Sequence, residues 1–343
     1  MKPLESLALR WDGERLWALD QTRLPDTEIW VEGSDPGVMA GLILRLAVRG
    51  APLIGVAAAL SFSAFLKTQP TAVALREAWE TLRGARPTAV NLAWAMDRLW
   101  AAWQRDGQEA VTREAVAIFE EDVALCEAMA RHGLTLFGAA EAVLTHCNSG
   151  GLATVGVGTA LGVIHRAWEA GKITHVFVDE TRPLLQGARL TAWELGRRGI
   201  AHTLLTDSMA AILLREGRVQ RVLVGSDRVA ANGDFANKVG TYGLAVQAQY
   251  HGVPFHPVAP WSTVDLACAS GREIPIEHRP PEEVRGFAER RWAPAGSEVF
   301  NPSFDVTPVA LVTSLVLDRG VFTREQLTAG ALSQVAVRRR VIE

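Results

Sequence analysis

Apolar and polar positions change rhythm twice along this chain. Near the start, the short runs Leu7 to Trp11 and Arg15 to Asp20 flank Asp12-Gly13, a hairpin signal, and Thr27 to Val31 supplies a third strand. From Gly37 the period lengthens. The segments Val38 to Val48, Pro52 to Leu66, Ala72 to Leu82, Pro87 to Trp103 and Thr112 to Leu136 read as helices, several opened by a proline or a polar cap. No strand-type alternation interrupts them, so residues 1–130 are expected to form one mainly helical domain with a small antiparallel sheet.

Beyond residue 130, short apolar strands alternate with helices. Strands are expected at Ala142 to Thr145, Thr174 to Val178, His202 to Leu205, Arg221 to Val224 and Pro254 to Val258. Helices are expected between them, at Leu152 to Ala170, Ala188 to Arg198, Ser208 to Glu216 and Val239 to Tyr250. That rhythm implies parallel pairing with right-handed crossovers. Residues 131–343 should form an α/β domain, a doubly wound, Rossmann-like parallel sheet. Arg279 to Arg291 reads as a loop and a polar helix.

Composition narrows the function only by exclusion. A hydrophobic fraction of 48% over 343 residues supports a large core, and a net charge of −3 gives no reason to expect nucleic acid or an anionic membrane as partner. Three cysteines, Cys126, Cys147 and Cys268, do not make a disulfide framework, and no apolar stretch reaches membrane-spanning length. A reduced, cytoplasmic protein is the expectation.

In open α/β sheets, ligands bind beyond the carboxyl ends of the strands. Here every expected strand ends in polar groups: Cys147-Asn148-Ser149, Asp179-Glu180-Thr181-Arg182, Thr206-Asp207-Ser208, Ser226-Asp227-Arg228 and Trp261-Ser262-Thr263. Cys147 precedes a glycine-containing turn into a helix, where amides hold phosphate and favour a thiolate. Its other reading is a small buried hydrophobe, the expectation for Cys126. A Cys147–His146 dyad is discounted, because neighbours on a strand face opposite ways. Asp227 suits a general acid/base, or an ion pair with Arg228. Lys238, near an expected helix start at Asn237-Lys238, suits phosphate. Arg49-Gly50-Ala51-Pro52 and Arg86-Pro87-Thr88 each place an arginine ahead of a proline-led helix, as anion clamps or as helix-end arginines. The histidines lack metal-like spacing, so no metal is expected. Gly156 to Gly162 falls inside an expected helix, which suits close packing better than dinucleotide binding.

The sequence also resembles a known family over nearly its whole length. RGAPLIGVAAA at Arg49, GARPTAVNLAWA at Gly84, THCNSGGLATVGVGTALGVI at Thr145, DETRPLLQGARLTAWEL at Asp179, GSDRVAANGDFANKVGTY at Gly225, VAPWSTVD at Val258 and NPSFDVTP at Asn301 stand in order. Together they resemble the methylthioribose-1-phosphate isomerases of methionine salvage. That superfamily includes the regulatory subunits of the exchange factor for initiation factor 2. The resemblance implies a cofactor-free, homodimeric isomerase with Cys147 and Asp227 as the catalytic pair. It implies substrate contacts from Arg49, Gly50, Ala51, Arg86, Gln186, Asn237 and Lys238. Ser149 and Ser226 stand where the family usually has threonine and alanine, and His256-Pro257 replaces a more aromatic pattern. A ribose-1,5-bisphosphate isomerase and a non-catalytic regulatory subunit are the alternatives.

Overall fold

The computed structural model describes residues 2–86 and 90–340. The chain divides into two compact units: Met1–Glu127 with Ser149–Gly158, and Ala128–Asn148 with Thr159–Glu343. The chain therefore crosses between units three times.

The first unit opens with a four-stranded antiparallel sheet of β1 (Leu4–Glu5), β2 (Leu9–Trp11), β3 (Leu16–Leu19) and β4 (Trp30–Glu32). Trp11 and Leu16 bury one face. Helices α1 (Pro36–Leu44), α2 (Ala51–Leu66) and α3 (Ala72–Gly84) follow, then α4 (Val90–Leu134), broken at Gly107 where φ is 70°. α2 is buried on nearly every side, which explains why its sequence is apolar throughout instead of amphipathic. The proline expected to open the fourth helix, Pro87, lies outside the described residues.

The second unit carries the parallel sheet. Its strands are β5 (Glu141–His146), β6 (Ile173–Asp179), β7 (His202–Leu205), β8 (Arg221–Val224) and, further along, β11 (Phe255–Pro257). They lie in the order β11-β8-β5-β6-β7, every pair parallel. The connecting helices are α5 (Ala160–Glu169), α6 (Ala192–Arg197), α7 (Ala210–Arg215) and α8 (Thr241–Tyr250). This is the expected doubly wound arrangement. Leu144, Phe177, Val222, Val224 and Phe255 lie in one buried cluster with Leu213, Leu214, Leu244 and Ala248 from α7 and α8.

Three local expectations need correction. The helix expected from Leu152 starts only at Ala160, because residues 151–158 form turns and a bridge. Glycines at 150, 151, 156 and 158 depress helix formation there. The Asp122 carboxylate also takes the Val155 N–H, at 2.7 Å. Gly156 still serves close packing, since a Cβ there would come within 2.7 Å of the Cys126 side chain on α4. Second, the segment from Arg228, expected to enter a helix at Asn237-Lys238, belongs to a second sheet. β9 (Arg228–Ala230), β10 (Phe235–Lys238), β12 (Val264–Asp265) and the strand Phe304–Thr307 pair in the order β12-β9-β10-Phe304–Thr307. Third, the polar segment after Arg279 holds only a one-turn helix, Glu282–Arg285, and a hairpin pairing Gly286–Phe287 with Arg290–Arg291. Among the described residues, no helix is long and apolar enough to cross a membrane.

Candidate active site

All five strands of the parallel sheet run the same way, so their carboxyl ends share one rim. β5 comes first in the chain and sits in the middle, with β6 on one side and β8 on the other. The gap between β5 and β8 is where the winding reverses, the place such sheets reserve for ligands. Cys147 directly follows β5, and Asp227 lies three residues past β8. The two residues expected to carry chemistry thus flank the switch point.

Cys147 is half-buried, with φ at 63°. That left-handed conformation ends the alternation of β5. Its N–H donates to Thr181 Oγ1 at 2.8 Å, and its carbonyl accepts from Thr191 Oγ1 at 2.6 Å. The next residue, Asn148, is buried and donates from Nδ2 to Glu194 Oε1 at 2.7 Å. The helix start expected just behind Cys147 is not there, since α5 begins at Ala160. Cys126 and Cys268 are both buried, as a core cysteine should be.

Asp227 sits between the two sheets of its unit, its N–H donated to the Ala236 carbonyl at 2.9 Å. Arg228 pairs with Asp265 at 3.6 Å. Asn237 and Lys238 close β10, not a helix: α8 starts at Thr241. Asn237 is buried, with Nδ2 donating to Thr241 Oγ1 at 2.9 Å. Lys238 donates to the Ser303 carbonyl at 2.7 Å and lies 4.6 Å from the centre of the Phe304 ring. Asp305 takes the N–H groups of Gly240 and Tyr242 at 2.7 and 3.0 Å, capping the start of α8. Gln186 is buried ahead of the π-turn Gly187–Thr191, and its Oε1 has no hydrogen-bond partner among the described residues.

His146 lies beneath this rim, 1% exposed. Its Nδ1 meets Asp179 Oδ2 at 3.0 Å, and its Nε2 donates to the Val239 carbonyl at 2.9 Å. The ring braces β6 and the turn after Lys238. Burial pushes the Asp179 carboxyl up from its ordinary range, so this pair shares a proton between two buried atoms. His146, Asp179 and Asp207 could together offer three ligand atoms to a cation, a grouping the sequence spacing hides. Most of these atoms already hold hydrogen bonds, while Asp179 Oδ1 is buried without a partner among the described residues. Asp207 Oδ1 and Oδ2 accept the Thr181 and Arg182 N–H groups, each at 2.7 Å, and both ring nitrogens are in use. These bonds tie the ends of β5 and β6 to the Thr206-Asp207-Ser208 turn.

In the first unit, Arg49-Gly50-Ala51 forms the turn into α2. Gly50 has φ of 102°, and a Cβ there would lie 2.5 Å from the Ala153 backbone. The Leu53 N–H donates to the Ala153 carbonyl at 3.1 Å. The Arg49 turn is therefore seated on the segment Ser149–Gly158. Arg86 follows the last turn of α3, with Ala85 as its cap.

Comparison with known proteins gives the family of the chain. The model of the Initiation factor 2 subunit family matches residues 47–324. The chain belongs to that family. A methylthioribose-1-phosphate isomerase of Cronobacter sakazakii is 52% identical over 335 residues, covering 96% of this chain and 99% of that one. The structure of a 5-methylthioribose 1-phosphate isomerase from Pyrococcus horikoshii OT3 superposes with a TM-score of 0.89 at 38% identity, covering 96% of each chain. The structure titled translation initiation factor eIF-2B, subunit delta, from A. fulgidus superposes with a TM-score of 0.83 at 40% identity, covering 94% of this chain and 97% of that one.

Proposed function

We propose that this chain is an aldose–ketose isomerase converting 5-methylthioribose 1-phosphate into 5-methylthioribulose 1-phosphate. The observation that carries the reading is the placement of Cys147 and Asp227 on either side of the switch point, in a chain 52% identical to an isomerase of that name. With phosphate on C1, the sugar cannot open as a free hemiacetal. The C1–O4 bond must break while the phosphate stays. One hydrogen moves from C2 to C1, O4 gains a proton and the C2 hydroxyl gives one up as it becomes a carbonyl. No net oxidation occurs. Asp227 handles the proton at the ring oxygen or O2, and Cys147 serves C1–C2.

Arg49, Arg86 and Lys238, with the amides of Gly50 and Ala51, bind the phosphate; Gln186 and Asn237 take sugar hydroxyls. Gln186 supports this role, because a buried amide oxygen without a partner is costly until a substrate hydroxyl donates to it. The working form is a cytoplasmic homodimer. Met209 just ahead of α7 and Ile212 on it, with Tyr242, Val246 and Tyr250 on α8, are at least 41% exposed and give a second copy an apolar face to cover.

The test is purified protein with methylthioribose 1-phosphate, followed for ketose. Formation of ketose, lost in Cys147→Ser, supports the reading; no ketose with a folded protein overturns it. The likeness to the A. fulgidus translation-factor subunit favours one rival, a binding subunit without turnover. The same assay excludes that rival if ketose forms.

A further inference from the structure

We propose that Thr181 and Thr191 are positioning residues that clamp Cys147 in its left-handed backbone conformation and so aim its thiol at the sugar. This rests on the reading of Cys147 as catalytic.

A residue other than glycine at positive φ is strained and persists only where its surroundings over-determine it. Cys147 stands at φ 63° after a strand whose geometry would otherwise continue. Two side chains take the place of sheet partners. Thr181 Oγ1 accepts the Cys147 N–H, and Thr191 Oγ1 donates to the Cys147 carbonyl. Both threonines are 0% exposed, so neither bond is lent to water.

The clamp is itself anchored on both sides. Thr181 has φ of 66°, held by Asp207, which accepts its N–H and that of Arg182. Thr181 Oγ1 passes its own hydrogen to the Asp179 carbonyl at 3.1 Å. Thr191 closes the π-turn Gly187–Thr191 and receives Asn148 Nδ2 at 3.3 Å. That turn has no room to shift, because a Cβ on Gly187 would overlap the Asp179 carbonyl oxygen, 1.7 Å away. Each hydroxyl therefore accepts one hydrogen bond and donates another. Among small side chains only serine and threonine do this.

Thr181→Val and Thr191→Val keep the branched shape and delete the hydroxyl. Freed of either bond, Cys147 should relax toward the extended region. A displacement of about 1 Å at a reacting group costs about 10²-fold in rate. We expect kcat to fall about that far with KM little changed. Thr181→Ser and Thr191→Ser, which keep the hydroxyl, should retain most of the turnover. The second readout is alkylation of Cys147 by iodoacetamide across pH, followed on its own peptide, with buried Cys126 and Cys268 as internal controls. The valine variants should shift that profile and the serine variants restore it. Where a valine variant does not fold, the alanine variant carries the same expectation.

Valine variants with normal kcat and an unchanged alkylation profile overturn the clamp. So does a loss of kcat that tracks only lowered Tm while alkylation stays unchanged. If Cys147→Ala turns over normally, the catalytic reading fails instead. The alkylation profiles of the threonine variants then still decide whether the clamp exists.

Discussion

At the scale of single residues, the proposal turns on a few atoms. Cys147→Ser and Asp227→Asn should each lower turnover by roughly 10² to 10⁴ or more, the range of a lost acid or base, with the fold intact by circular dichroism. Normal turnover in either variant removes that residue from the mechanism. Arg86→Lys keeps the charge but loses the planar fork, so KM should rise clearly, as measured by initial rates; an unchanged KM takes Arg86 off the phosphate. Gly50→Ala should be more damaging than its size suggests, since the new methyl would meet the Ala153 backbone and the φ of 102° suits only glycine. Cys147 and Asp227 were legible because each ends an apolar run. Thr191 was not: inside LTAWEL it looks like any helix residue, and only folding brings its hydroxyl to a carbonyl 44 positions away.

At the scale of elements, period and punctuation located α2, α3 and the five parallel strands closely. They failed where glycine or non-local pairing rules. β10 reads Phe-Ala-Asn-Lys, with no alternation to betray it. It is a strand because Phe304–Thr307, some 70 positions later, pairs with it through Asn237↔Asp305 and Lys238↔Phe304. The run after Leu152 has helix-like apolar spacing, but its glycines and Asp122 hold it as turns. Asp122 also gives those turns a pH signature. Burial pushes its carboxyl from 3.8 up to about 6, so between those values the folded chain holds a proton that the unfolded chain lacks. The first unit should gain stability as pH falls through that window, by roughly 3 kcal/mol in all. Urea midpoints at pH 7 and pH 4 check this, and Asp122→Asn should remove the dependence.

At the scale of the whole molecule, Asp122 in the first unit and His256 in the second answer acid in opposite ways. In the second unit His256 on β11 is buried, accepting from Arg221 at 2.8 Å through Nε2 and meeting Ser314 Oγ at 2.8 Å through Nδ1. Burial and the Arg221 charge push its pKa from 6.5 down to about 3. Below 6.5 the unfolded chain takes up a proton that the folded ring refuses, so the contribution of His256 to this unit's stability is lost as pH falls toward 3. His256→Gln removes that contribution, so Tm should fall less between pH 7 and pH 5 in the variant than in the wild type; an equal fall in both removes the burial assignment. The histidine was noticed in the sequence only as an unusual neighbour of Val258. Its structural job, bridging an arginine and a serine, depends on partners 35 and 58 positions away.

The ten residues Ser149–Gly158 leave one unit and complete the other before the chain returns. A ribosome making this protein must therefore release residue 158 before the first unit can close, by which time β5 is already waiting without its sheet. A gene cut at position 130 would yield an N-terminal piece in which Asp122 has lost the Val155 amide, Gln21 the Leu152 carbonyl and Gly50 its seat against Ala153. Such a piece should be insoluble or protease-sensitive when expressed alone, and supplying a peptide of residues 149–158 should protect it. Neither half could be lent to another protein by a single recombination, so the two are bound to be inherited together.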